Sequence, residues 1–196
     1  MRTFKSITVP LLVSALAVSA VGVASSAGAT ALQHATTGSL ASHVVKPKIV
    51  KVVFKGTYHG TIAMLWSSTG VKATAVTGTG TATYLGKSSL SGSGSSSAAS
   101  TCDPLSGMGF LVGSGSKLML TIINPTSSQA CAAGQSAPTS VSVKGVAKVT
   151  GGVGKYKGVS GTLKFTGSFA IKSTTAGSSE SDAFSATLTG VLSIKK

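Results

Sequence analysis

From residue 49 onward, apolar and polar side chains alternate with a period of two, the pattern of β-strands that bury one face. The alternation is clearest in segments 50–66, 141–149, 162–172 and 183–194. In the first segment Val52, Phe54 and Tyr58 share one parity, whereas Lys51 and Lys55 share the other. Because no helical stripe of comparable strength follows residue 49, the sequence predicts an all-β fold.

Weaker patterns fill the middle of the chain. The run 76–84 places threonines on one face and glycines on the other, and 108–113 with 118–123 predicts a hairpin. The Ser/Gly-rich stretch 87–100 fits either a polar strand or a loop, and 124–139 is typical of a long loop. The total is about eight antiparallel strands, a number that suits a closed barrel or a sandwich.

Inward glycines favour the barrel. A missing side chain on the inner face lets a strand coil tightly or leaves space in a small lumen. The glycines on this parity are Gly56, Gly60, Gly78, Gly80, Gly145, Gly167 and Gly190. We therefore expect an eight-stranded antiparallel β-barrel over residues 48–196. The candidate lumen residues, which either surround a ligand cavity or fill a core, are Phe54, Tyr58, Ile62, Phe165 and Phe169.

The first residues have the pattern of a secretory signal. Arg2 and Lys5 precede the apolar stretch 7–24, and small residues suited to cleavage follow at 27–31. A retained anchor is the alternative, because a run of about 18 residues just spans a bilayer. The run contains Pro10, however, so we expect a cleaved signal at 1–29, an exported chain and no transmembrane span after cleavage. Residues 30–47 are small and polar without a period, which predicts a flexible segment.

Cys102 and Cys131 are the only cysteines. An even cysteine count in an exported protein favours a disulfide. The alternative, a redox or metal-binding pair, lacks the C-x-x-C spacing and a nearby histidine. The disulfide would constrain the loop at 124–139 and close a loop of about 30 residues. The chain-entropy model predicts that this closure stabilises the folded state by about 3.5 kcal/mol.

Residues 149–161 read VTGGVGKYKGVSG and precede the alternating run TLKFTGSFAI. This stretch resembles the Gly-Gly-x-Gly-x-aromatic-x-Gly signature of the barrel superfamily shared by allene oxide cyclases and dirigent proteins. The resemblance implies an eight-stranded antiparallel barrel in which the motif joins two late strands. The residues that carry it are Gly151, Gly152, Gly154, Tyr156, Gly158 and Gly161.

The catalytic residues of that superfamily do not carry over. Its cyclases resemble one another in an inward acid near the start of the barrel, and its dirigent proteins are thought to use lumenal acids and an arginine. Here 49–66 contains no Asp or Glu, and the only arginine is Arg2. The motif therefore implies a structural turn, from which Tyr156 can fold back to plug a barrel end.

Few residues are suited to catalysis. The only acids are Asp103, Glu180 and Asp182. We expect Asp103 to cap a loop and the other two to be polar residues at a strand start, and His59 falls on the outward parity. The sequence contains no G-x-S-x-G motif of a nucleophile elbow and no cluster of His and Asp at the spacing of metal ligands. We therefore expect no catalytic, cofactor or metal site.

The charge is strongly positive, with 17 Lys and Arg against 3 Asp and Glu and a net charge of +14. Such a surface attracts anionic polymers or lipid head groups, although lysines also protect strand edges and keep a protein soluble. We expect no nucleic-acid partner, because the aromatic residues face inward. The candidate basic patch, on the outward parity, is Lys144, Lys148, Lys164 and Lys172.

Together these features predict a secreted or envelope-associated, non-enzymatic barrel without cofactors. Its partner would be a small apolar ligand in the lumen or an anionic cell-surface polymer on the outward lysines. The alternative is a barrel enzyme of cyclase-like or dirigent-like type that steers a reactive intermediate by the shape of its cavity.

Overall fold

The structure, a computed structural model, describes residues 47–122 and 127–196. The expected signal peptide (1–29) and all but the last residue of the expected flexible segment (30–47) lie outside the described residues. The described residues form nine strands: β1 (Ile49–Ser67), β2 (Gly70–Ala82), β3 (Gly86–Ser97), β4 (Cys102–Gly113), β5 (Ser116–Ile122), β6 (Gln129–Ala132), β7 (Thr139–Val153), β8 (Ser160–Ile171) and β9 (Ser179–Lys195). A short 3-10 helix, Gly154–Tyr156, connects β7 and β8.

The sheet closes on itself through antiparallel pairs. β1 pairs with both β2 and β9, and β3 pairs with both β2 and β4. The circuit continues from β4 through β5 to β7, β8 and β9. β5 and β6 both lie between β4 and β7 and together take the position of a single strand. The nine strands therefore form an eight-stranded antiparallel barrel, and the expected fold is confirmed.

The expectation of a continuous long loop at 124–139 is wrong, because β6 lies within it. β6 pairs with the start of β4 on one side and with β7 on the other, so Cys102 lies opposite Cys131. β5 pairs only with the C-terminal parts of β4 and β7. The backbone N–H and C=O groups in the N-terminal parts of these two strands therefore need another hydrogen-bond partner. Buried Ser128 spans the gap between β5 and β6. Its hydroxyl accepts from the Val146 amide at 3.1 Å, and its carbonyl accepts from the Leu105 amide at 2.8 Å.

The Ser/Gly stretch 87–100 resolves mainly into strand β3, since its backbone pairs with β2 and β4 along its length. The hairpin of β4 and β5 is confirmed, with Gly113 opposite Ser116. The inward glycine Gly145 shows why its position requires no side chain. A Cβ there would overlap the Ser128 hydroxyl and lie 2.7 Å from the Phe165 ring. In this place glycine leaves room for the residue that bridges the gap in the wall.

The two ends of the barrel differ. At one end lie the β2–β3, β4–β5 and β7–β8 connections, and Leu85 and Tyr156 there are fully buried. At the other end lie the β1–β2, β3–β4, β6–β7 and β8–β9 connections. We call these the closed end and the open end.

Candidate functional site

The closed half of the lumen is packed. Phe54 and Tyr58 are completely buried there in a cluster with Leu85, Leu111 and Leu163. The Tyr58 hydroxyl shares a 3.0 Å hydrogen bond with the Ser88 hydroxyl, so its polar group is satisfied inside the core. Burial raises the pKa of Tyr58, and the bond to Ser88 offsets part of that rise.

The glycine motif forms the plug of the closed end. Gly154 and Gly158 have φ values of +66° and +69°, which non-glycine residues rarely adopt, and they turn the chain tightly between β7 and β8. The turn carries Tyr156 into the core, where its hydroxyl donates to the Thr83 carbonyl at 3.0 Å. Burial, reinforced by nearby Tyr58 and Tyr84, raises the pKa of Tyr156 to about 12. The expected structural role of the motif is therefore visible in the fold.

The other half of the lumen holds an apolar cavity of about 220 Å³. β1, β8 and β9 each direct large inward side chains toward it, while glycines and small residues of β3 and β4 leave the opposite wall thin. The bulkiest residues around it include Ile62, Met64, Phe165, Phe169, Phe184 and Leu188.

A second, more polar cavity of about 360 Å³ adjoins the first at the open end. Trp66, Asp103, Gln135 and Thr139 contribute to its wall, together with the β3–β4 turn. The residues common to both cavities are Met64, Val71, Ser96, Ala130 and Phe169. The lumen therefore passes from a packed bottom through an apolar chamber to a polar mouth.

The five candidate lumen residues divide between these parts. Ile62, Phe165 and Phe169 line the apolar cavity, whereas Phe54 and Tyr58 belong to the packed half. Strand parity predicts all five on the inner face, and the structure places each of them in the core or around the chamber. Met64, Phe184 and Leu188 carry the same parity signal, but the sequence did not single them out as lumen residues.

All three carboxylates of the chain lie toward the open end. Asp103 is buried and accepts hydrogen bonds from the Ser97 hydroxyl at 2.9 Å and from the Ser100 amide and hydroxyl at 3.1 Å each. Burial raises the pKa of Asp103, but the hydrogen bonds from Ser100 and Ser97 outweigh it and bring that pKa below its ordinary value. Asp103 thus caps the β3–β4 turn, as expected.

Glu180 and Asp182 organise the rim near the β8–β9 connection. Glu180 accepts from the Trp66 indole at 2.9 Å and from the Lys172 amide at 2.8 Å. Buried Asp182 forms a salt bridge with the Lys172 ammonium, which raises the pKa of Lys172. Donors of the chain itself thus hold both oxygens of Glu180 and one oxygen of Asp182, whereas the buried Asp182 Oδ2 has no hydrogen-bond partner among the described residues.

Lys144, Lys148 and Lys164 lie exposed on the outer wall, as their parity predicted. Lys172 is exposed as well, but its ammonium is engaged by Asp182. The structure therefore brings three of the four candidate patch lysines together on β7 and β8 and gives the fourth a separate partner at the rim. His59 is exposed on β1, as expected.

The predicted disulfide is present and joins Cys102 at the start of β4 to Cys131 in β6. Within residues 47–122 and 127–196, no group of three or more His, Cys, Asp or Glu side chains is arranged to hold a metal ion. The described part of the chain also contains no helix with the length and apolar character needed to cross a membrane.

No protein-family model, curated protein or solved structure gives a significant match to this chain.

Proposed function

We propose that the protein is an exported, non-enzymatic barrel that binds a small apolar ligand in the open half of its lumen. The observation that carries the proposal is the apolar cavity of about 220 Å³ beneath a polar mouth. An apolar cavity of about 150 Å³ already admits benzene in other proteins, so the chamber of about 220 Å³ admits an aromatic ring or a short chain, and a larger ligand would extend into the adjoining cavity of about 360 Å³.

Export rests on the amino-terminal pattern of the sequence and is supported by the disulfide, because disulfides persist in oxidising compartments. A structural disulfide near the open end also suits a binding protein, since it ties β6 to β4 beside the mouth. Kinship with the allene oxide cyclase and dirigent barrels remains a proposal that rests on the glycine motif at 149–161.

The cyclase-like or dirigent-like alternative would require a charged group that acts on a molecule in the chamber. The chamber is lined mainly by apolar side chains, glycines and serines, and donors of the chain hold Asp103 and Glu180. Asp182 has one buried oxygen without a hydrogen-bond partner in the described part of the chain, but its other oxygen is engaged by Lys172 and the residue is not part of the chamber wall. These observations favour a binding role over a catalytic one.

The proposal is tested by titrating the purified protein with an uncharged fluorescent probe, N-phenyl-1-naphthylamine. The charge of the outer wall does not attract such a probe, so binding reports on the chamber. We expect one probe to bind per chain with a dissociation constant in the low micromolar range, which corresponds to a binding free energy of about −8 kcal/mol.

Two matched variants on β9 locate the probe. Ala186 faces the chamber, whereas Ala183 is exposed on the outer face. Ala186→Phe fills part of the chamber and should weaken binding at least about tenfold, the equivalent of about 1.4 kcal/mol. Ala183→Phe should leave it unchanged. Equal affinities in the two variants, or a folded wild-type protein that binds no probe, would overturn the proposal.

A further inference from the structure

Four exposed lysines form a band across the outer wall of β7, β8, β9 and β1. Lys164 on β8 lies opposite Thr189 on β9, and the same Thr189 lies opposite Lys55 on β1. On the other side Lys164 lies opposite Val146 of β7, which Lys144 and Lys148 flank along the strand. We call this set, Lys55, Lys144, Lys148 and Lys164, the lysine band.

The spacing of the band follows from sheet geometry. Neighbouring strands lie about 4.8 Å apart, so the backbones at Lys164 and Lys55 are separated by about 10 Å. Lys144 and Lys148 are four residues apart on β7, which corresponds to about 13 Å. The band therefore presents ammonium groups at short, regular intervals along a path that crosses the strands.

The positive charge of the band is not neutralised by the chain. Its three carboxylates lie toward the open end, and the one salt bridge among the described residues is that of Lys172 with Asp182. Hydroxyl side chains lie between the lysines and add hydrogen-bond donors to the same surface; they include Thr162, Thr166, Thr187 and Thr189.

The opposite wall differs in composition. Its strands β2 to β5 carry Lys72, Lys87 and Lys117, and the Lys117 ammonium lies 3.8 Å from the centre of the Phe110 ring. Exposed apolar residues occur on both walls, among them Met108 on β4 and Val53 on β1, so the contrast lies in the lysines. Strands β1, β7, β8 and β9 carry six lysines, twice the number on the opposite wall. The cationic surface therefore lies mainly on one side of the barrel. Lysines that served only solubility would not need to be concentrated on one side.

We infer that the lysine band binds a linear polyanion, an extended polymer whose phosphate or carboxylate groups repeat at intervals no longer than about 10 Å, the backbone separation of Lys164 and Lys55. Ammonium groups attract such charges through water over distances of the Debye length. The band lies on the outer wall rather than at the mouth. Polymer binding is therefore independent of ligand binding in the lumen, and the barrel can be held at an anionic envelope while its mouth stays open.

The polymer is favoured over two other anionic partners by the shape and composition of the band. A flat bilayer would touch only part of a curved wall, and single-stranded nucleic acid is usually bound with aromatic side chains beside the cations. The aromatic residues of β1, β7, β8 and β9 belong to the inner face.

The experiment compares three forms of the secreted protein on immobilised long-chain polyphosphate and on polygalacturonate. The band variant carries Lys55→Gln, Lys144→Gln, Lys148→Gln and Lys164→Gln. The control variant carries Lys72→Gln, Lys87→Gln, Lys155→Gln and Lys196→Gln, which removes the same four charges from other exposed positions. Thermal denaturation of each form verifies that it is folded.

We expect wild-type binding to at least one polymer to fall steeply between about 50 and 200 mM salt, where the Debye length shortens from about 14 to about 7 Å. The band variant should bind at least about tenfold more weakly than the control variant. The stronger of the two polymers identifies the phosphate or the carboxylate as the recognised group. Equal losses in the two variants, salt-insensitive binding, or tighter binding to anionic lipid vesicles or single-stranded DNA than to either polymer would overturn the inference.

Discussion

The Tyr156 hydroxyl donates a 3.0 Å hydrogen bond to the carbonyl of Thr83, 73 positions earlier in the chain. This bond joins the β7–β8 connection to the β2–β3 connection across the closed end of the barrel. Tyr156 is completely buried, so the ring itself also fills the space beneath the two connections. The plug explains why the closed half of the lumen is packed with side chains.

Tyr156→Phe should lower the free energy of unfolding by about 1 kcal/mol, because it removes one hydrogen bond and keeps the ring. Tyr156→Ala removes the ring as well and should cost about 3–5 kcal/mol, the usual range for losing a buried aromatic side chain. Urea denaturation measures both values. Similar losses in the two variants would contradict a role for the ring as a plug.

The same residue predicts a loss of stability in alkali. The pKa of Tyr156 is about 12 in the folded chain and about 10 in an unfolded one, so the folded state holds the phenol proton more tightly. The stabilisation is complete below pH 10 and is lost as the pH rises from about 10 to 12. Urea denaturation across this range should show a steeper fall for the wild type than for Tyr156→Phe. Parallel curves would contradict the raised pKa.

The lowered pKa of Asp103 leads us to expect a loss of folding stability in acid. Its pKa is lowered in the folded chain, so its contribution to stability is present above about pH 4 and is lost as the pH falls through the folded pKa. Asp103→Asn should cost about 1.5–3 kcal/mol at neutral pH, the range for hydrogen bonds to a charged group. Its stability should also vary less with pH below 4 than that of the wild type. An unchanged acid profile would show that Asp103 does not cap the turn as an ionised carboxylate.

The disulfide predicts a measurable stabilisation. A double Cys102→Ser and Cys131→Ser variant frees a segment of about 30 residues and should be less stable by about 3.5 kcal/mol in the chain-entropy model. Peptide mapping of protein purified without reductant should find the two cysteines linked. Free thiols in that protein, or a double variant with unchanged stability, would contradict a structural disulfide.

Period-two alternation was sufficient to predict the strands, and the inward glycines favoured a barrel over a sandwich. β1, β7, β8 and β9 have strong alternation, and the structure buries the residues on the expected side of each. β3 was ambiguous because serine and glycine give no contrast between its faces. β6 was missed because a strand of four residues, Gln129–Ala132, is too short to show a period, and its position depends on its two neighbours.

Parity could not separate the chamber from the packed core. It assigns a residue to the inner face but gives no position along the barrel axis, and so Phe54 and Phe169 had the same signal. The salt bridge of Lys172 could not be predicted from the sequence either. Lys172 follows β8 and Asp182 lies near the start of β9, and only the closure of that hairpin brings the two charges together.

The most direct test of a hollow, apolar open half is a crystal structure of the protein grown with N-phenyl-1-naphthylamine. We predict electron density for one probe in the chamber between Ile62, Phe165 and Phe169, while Phe54 and Tyr58 remain packed below it. Side chains that fill the chamber, or a probe bound only on the outer wall, would contradict a hollow open half.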